Sequence, residues 1–309
     1  MLGFHGVAGS REAVLGWVLL VVAMIVTLVV SLLVLAGAWR GRTSELLPPQ
    51  RTGGGLRWIV IGGIIVPTVI LAAVFVLTMV TQAAVAAPSA PPTVTVQITG
   101  HQWWWEVHYL DRSPSRIAVT ANEIHIPVGQ PVRFELVTGD VIHSFWIPEL
   151  GGKTDLIPGQ RNVMWLEADS AGVYRGQCGE YCGTQHAKMA MSVIAEPAGK
   201  FNQWLVLQRQ PAAAPPDPDV AAGERVFASS ACALCHTVRG TLAGGRLGPD
   251  LTHLAGRRTI AAGMLPNTRG NLAGWIANPQ ALKPGSLMPV VPLRATELLA
   301  VVAFLQSLE

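Results

Sequence analysis

The stretch CGEYCGTQHAKM, Cys178–Met189, places two thiols, an imidazole and a thioether within twelve residues. A second stretch, CALCH at Cys232–His236, holds the chain's other two cysteines beside another histidine. CALCH has the spacing of c-type haem attachment, in which both thiols add to the vinyl groups and the adjacent histidine ligates the iron. A redox pair has no need of His236, and a zinc site needs two more ligands nearby. With Cys232 and Cys235 given to haem, Cys178 and Cys182 are left to each other. A disulfide between them closes a tiny loop and stabilises little. Zinc could take both thiols and His186 but leaves Met189 unused. Thiolates, imidazole and thioether together favour copper, which also tops the Irving–Williams order. On residue types alone copper leads, with disulfide and zinc still open.

The haem needs a sixth ligand, a methionine or histidine from downstream; His253, Met264 and Met288 are the candidates. Met288 is preferred. Its segment KPGSLMP resembles the methionine loop of small class I cytochromes c, and GPDL (Gly248–Leu251) resembles the segment beside their haem ligand. A thioether favours Fe(II) and raises the potential, which suits electron transfer.

The elements that must carry these residues begin with a membrane anchor. Only 13% of the chain is charged, against roughly 25% in soluble proteins. Residues 13–39 and 58–80 contain no charge, and about 20 apolar residues suffice to span a bilayer. Two helices, about 13–39 and 58–83, are expected as a hairpin, with Pro67 kinking the second. The intervening loop carries Arg40, Arg42, Arg51 and Arg57 against Glu45, whereas the N-terminal flank has Arg11 balanced by Glu12. The positive-inside rule puts that loop in the cytoplasm, and both termini and everything after about residue 85 outside. Neither span contains histidine or acid, so the hairpin reads as anchor and docking surface.

TVTVQIT and VRFELV alternate as half-buried strands, and Gly/Pro/Asn/Asp clusters punctuate the chain to about residue 196. An all-β sandwich or barrel is expected there, closed by a short amphipathic helix at Lys200–Gln208. PAAAPPDPD (Pro211–Asp219) reads as a semi-rigid linker that does not pack, a tether on which the last module would swing. In the last module, 220–309, Leu298, Val301, Val302, Leu305 and Leu308 share one helical face. Residues 85–210 carry 9 basic and 11 acidic residues, and 211–309 carry 8 and 6. With no basic, aromatic-interleaved stripe, nucleic acid is not an expected partner.

His143, in DVIHSFWIP, completes a pattern: His143, then Cys178-x-Glu180-x-Cys182-x3-His186-x2-Met189. It closely resembles the binuclear CuA motif of cytochrome c oxidase subunit II. GHQWWWEV (Gly100–Val107), IPVGQPVRF (Ile126–Phe134), GGKTDLIPGQ (Gly151–Gln160) and the two-helix anchor fit the same family. The resemblance implies a multidomain membrane protein: a transmembrane hairpin (1–86), a cupredoxin-like CuA domain (87–210), the linker (211–219) and a fused all-α cytochrome c domain (220–309). It implies that Cys178 and Cys182 bridge two coppers and that His143 and His186 cap one each. Met189 and the Glu180 carbonyl are then weak ligands, the Glu180 side chain reaches a magnesium-type ion at the subunit I border, and Trp103 is the electron-entry aromatic. Trp104 and Trp105 are expected to alternate between surface and core. The implied function is electron input to a terminal oxidase in a bacterial inner (plasma) membrane. An external reduced cytochrome or similar donor would feed haem c, then CuA, then the haem of subunit I, where oxygen is reduced with proton pumping. The CuA subunit of a nitric oxide reductase is one alternative, and a membrane-tethered copper-delivery or redox-sensing protein is another. One departure is plain: many relatives have a glutamate at the start of the second helix, where this chain has Arg57 and Trp58 and the nearest acid is Glu45.

Overall fold

The computed structural model describes residues 4–43, 55–88 and 90–309; Glu45 and Arg51 fall outside them. Two long apolar helices form one compact unit, residues 10–87. The first, α1 (Val7–Thr43), outruns the expected span at both ends, because a helix can continue past its apolar run where charged side chains reach water. The second is built from α2 (Gly55–Val60), a π-helical turn (Ile61–Ile65) and α3 (Val66–Val85). The π turn lies directly before Pro67, which has no N–H to give and whose ring crowds the carbonyl four residues back. The Arg11 guanidinium bonds the Ala84 carbonyl, joining the start of one helix to the end of the other.

The second unit, residues 1–9 and 88–309, contains a β-sandwich and a helical module. One sheet runs β3 (Ala118–Ala121), β2 (Trp104–Tyr109), β1 (Val94–His101), β5 (Val132–Thr138) and β8 (Asn162–Leu166). The other runs β4 (Glu123–Pro127), β10 (Ala190–Glu196), β9 (Gly172–Cys178), β6 (His143–Trp146) and β7 (Thr154–Leu156). The alternation seen in TVTVQIT and VRFELV puts Val96, Ile98, Phe134 and Leu136 between the sheets with no exposure. Trp105 joins them and packs edge-on to Phe145 at 5.8 Å, while Trp104 stacks on His101 nearer the surface. The tryptophan run thus alternates as expected. α4 (Ala198–Gln208) closes the sandwich through Phe201.

The helical module is held by α5 (Pro218–Ser229) against α9 (Ala295–Gln306), with the Phe227 and Phe304 rings 5.7 Å apart. Val301, Val302, Leu305 and Leu308 are buried on the face anticipated for them, and Leu298 packs beside them. Between the two lie α6 (Cys232–Cys235), a short pair β11 (Thr259–Ile260) and β12 (Leu265–Pro266), α7 (Arg269–Ala277) and α8 (Pro279–Leu282).

The linker departs from expectation. Ala212 donates its N–H to the Arg239 carbonyl at 2.8 Å and packs on the helical core. Asp217 accepts from the amides of Asp219 and Val220 and caps α5. Extended proline-rich backbone has unpaired amides and carbonyls, and here the module beside it uses them.

Candidate metal and haem sites

Cys178 ends β9, Met189 stands just before β10, and the ligand loop between them is pinned at its base by Cys178 N–H on the Met189 carbonyl (3.0 Å). His143 opens β6, the strand beside β9, and Phe145 lies opposite Cys178 in the register. Sheet pairing therefore brings in a histidine thirty-five residues away. Gly100 on β1 makes room for it: a Cβ there would lie 2.8 Å from His143 Cδ2, too close for any side chain.

The two Sγ atoms are 3.8 Å apart and both cysteines are free, far beyond the ~2.05 Å of a disulfide. About 3.8 Å is instead the edge of a tetrahedron with metal–sulfur bonds of ~2.3 Å. The remaining donors divide. His143 Nδ1 (3.9 Å) and the Glu180 carbonyl (3.2 Å) lie against Cys178, whereas His186 Nδ1 (3.6 Å) and Met189 Sδ (3.8 Å) lie against Cys182. His143, Cys178 and Cys182 fall within 4.8 Å of one another, a group that does not include His186. Two thiols with four further donors around them suit two ions better than one, and the fully buried Met189 thioether suits a soft metal.

His143, fully buried, donates from Nε2 to Asp140 Oδ1 at 2.9 Å, which leaves Nδ1 as the lone pair facing the sulfurs. Burial works to raise the Asp140 carboxyl pKa. Hydrogen bonds from His143, Val141 N–H, Thr138 and Gln102 N–H outweigh that and hold it below the usual carboxylate range. The contact between the two thiols, aided by His143 and backbone donors, pulls Cys178 well below an ordinary thiol. The same contact, with burial, pushes Cys182 up.

Trp103 donates its indole N–H to the Cys182 carbonyl at 2.9 Å, and Gln102 Nε2 donates to the same oxygen at 2.8 Å. Glu180 points its carboxylate outward, with Oε2 3.9 Å from Lys153 Nζ. Asp140 and Gln102 lie in the DVIHSFWIP and GHQWWWEV stretches but are not singled out there as site residues. Their one signal is position, Asp140 at the strand end three residues before His143 and Gln102 beside Trp103.

In the helical module one turn of helix presents Cys232 and Cys235, and His236 follows in extended backbone. His236 Nδ1 bonds the Pro249 carbonyl at 2.8 Å, which turns Nε2 away, free for iron. Gly248 lets the ring approach, since a Cβ there would meet His236 Cε1 at 2.7 Å. Burial lowers the His236 pKa, favouring the neutral, ligating imidazole. Met288 packs half-buried on the core while Gln280 holds its carbonyl at 2.8 Å. His253 has both ring nitrogens engaged, by the Glu309 and Gln210 oxygens at 2.6 and 3.1 Å, so its role is structural. Met264 lies in the β11–β12 hairpin. The donor sets fit a copper pair and a c-type haem.

Residues 110–196 match the family described as cytochrome c oxidase subunit II, periplasmic domain, and residues 220–309 match cytochrome c. Cytochrome c oxidase subunit 2 of Alkalihalophilus pseudofirmus is 40% identical over 70% of this chain and 62% of its own length. The Bacillus subtilis protein of the same name is 28% identical over 89% of this chain and 80% of its own. The periplasmic domain of subunit II of cytochrome oxidase (CoxB) of Bradyrhizobium japonicum is 30% identical over 39% of this chain and 96% of its own, with a TM-score of 0.37. The chain spans 62% and 56% of the first two curated relatives, the second being from Bacillus sp. PS3. The two matched segments thus carry a domain of the cytochrome c oxidase subunit II family, residues 110–196, followed by a cytochrome c domain, residues 220–309.

Proposed function

We propose that the chain is the electron-input subunit of a terminal haem–copper oxidase, taking electrons from an external reduced cytochrome or similar donor and passing them to subunit I. The observation that carries this reading is the juxtaposition of the two sites. Gly285, three residues before Met288, lies against the Trp103 indole (a Cβ there would be 3.8 Å from Cη2), and the other edge of that indole bonds the Cys182 carbonyl. Methionine loop, tryptophan and thiol ligand thus form a short series joined by one van der Waals contact and one hydrogen bond.

Cys178, Cys182, His143, His186, Met189 and the Glu180 carbonyl would hold a pair of coppers. When bound, such a pair supplies a one-electron redox site. Cys232 and Cys235 would hold haem c covalently, and His236 and Met288 would be its iron ligands. The sandwich's part is to exclude water, fix the donors through Asp140, Gln102 and strand register, and hand the electron inward. The Glu180 side chain, which points out of the copper loop toward Lys153, would take a magnesium ion at the subunit I border. The two apolar helices would cross a bacterial inner membrane with both termini and both sites on the periplasmic side, and oxygen reduction with proton pumping would belong to subunit I. Metal analysis of the purified protein tests the reading: two coppers per haem c are expected, and one copper, or zinc in its place, would overturn it.

A further inference from the structure

We propose that Lys283 is the positioning residue that seats the haem module on the copper loop and so fixes the gap an electron crosses; this rests on the reading of the two sites given above. Lys283 lies in the KPG turn after α8 and is only 3% exposed. Its ammonium meets the carbonyls of Trp103 (2.7 Å), Lys188 (2.9 Å) and Ala261 (3.3 Å). An ammonium has three donors and no acceptor, and a buried one is tolerated only when those donors are met. Here three carbonyls meet them without a neutralising carboxylate. Two of the three belong to the sandwich, one on the electron-entry tryptophan and one beside Met189. The third is in the helical module. The nest exists only while the two are docked.

What surrounds Lys283 repeats the theme. Lys188 Nζ reaches back to the Leu282 carbonyl at 2.8 Å, and Gln185 Nε2 to the Pro284 carbonyl at 2.7 Å. Gln280 then bonds the carbonyls of Ser286 and Met288 and the amide of Gly285, so the methionine loop is rigid from the seat onward. Farther along the seam, Ala190 N–H donates to Ala262 and Arg258 N–H to Glu123, at 3.0 and 2.9 Å. Methionine at 283 would keep length and apolar bulk but leave the Trp103 and Lys188 carbonyls without a donor. They would then regain one only by parting from the module to admit water. The transfer itself is simple: one electron leaves the haem iron, one enters the copper pair, and no bond or proton changes. Its rate falls exponentially with separation.

The test uses the complete oxidase carrying Lys283→Met, with copper-to-haem ratio and both visible spectra checked first. A wild-type ratio other than two to one would defeat the underlying assignment of the sites, not the seat. An electron is injected into the haem from a photoexcited ruthenium complex and its arrival at copper is followed optically. The variant should slow this step by at least about tenfold, the scale on which ångström misplacements act, and should raise amide exchange at Ala190 and Arg258. An unchanged rate overturns the proposal, as does a slowed rate with unaltered exchange, because the module would then still be seated. A second arm needs no variant. When the wild-type oxidase is treated with an acylating reagent, Lys283 should resist labelling while the exposed Lys188 and Lys200 react. Equal labelling of Lys283 overturns the seat, even if the methionine variant fails to assemble.

Discussion

Asp140→Asn isolates what the carboxylate behind His143 contributes. Asp140 Oδ1 accepts from Val141 N–H (2.6 Å), Thr138 (2.9 Å) and His143 Nε2 (2.9 Å), and Oδ2 accepts from Gln102 N–H (2.7 Å). An asparagine has the same shape but one oxygen. With its NH2 in the Oδ1 place it would face three donors, so it will turn the NH2 toward Gln102. That opposes two donors at one contact, a loss of about 1–3 kcal/mol. The surviving bond to His143 also loses its charge assistance, falling from about 1.5–3 to about 1 kcal/mol. The imidazole is then held less firmly, with less electron density pushed toward Nδ1. Replacing such partners of ligating histidines costs roughly 10–100-fold in metal affinity, or about 1.4–2.7 kcal/mol. Copper titration of the apoprotein against a competing chelator, read at the thiolate–copper absorption, measures it. An affinity within about twofold of wild type would refute the reasoning, since the four bonds would then serve the loop alone.

Other outcomes follow from the same geometry. Met288→Ala should lower the haem potential and open the sixth position to added imidazole, seen as a shift of the Soret band. Phe304→Ala removes a buried ring packed on Phe227 and should destabilise the helical module by about 3–5 kcal/mol in denaturant unfolding.

The candidate clusters were legible wherever their residues are close in sequence. CALCH and Cys178–Met189 carry their spacing on a single loop each, and a loop's reach is short. His143 was legible only through likeness to a family, since its approach depends on the β6–β9 register and on Gly100 in the facing sheet. Helix ends were the least readable, because hydropathy stops at Arg11 and Arg40 while the backbone ladder of α1 does not. Lys283 was invisible: a lysine in a Pro-Gly turn ordinarily lies in solvent, and its burial arises only from docking. The linker misled for a related reason, as its composition says nothing about Arg239, which both accepts from Ala212 and donates to the Gln208 carbonyl at 2.6 Å.

The seam between sandwich and haem module is closed chiefly through backbone: Lys283, Lys188 and Gln185 all end on carbonyls, and Ala190 and Arg258 donate from their amides. Dipoles in contact are scarcely screened by dissolved ions, whereas charges meeting across water are. Ionic strength then becomes a tool for dissecting turnover. Salt should change how fast a soluble donor finds the haem, and leave almost untouched how fast its electron moves on.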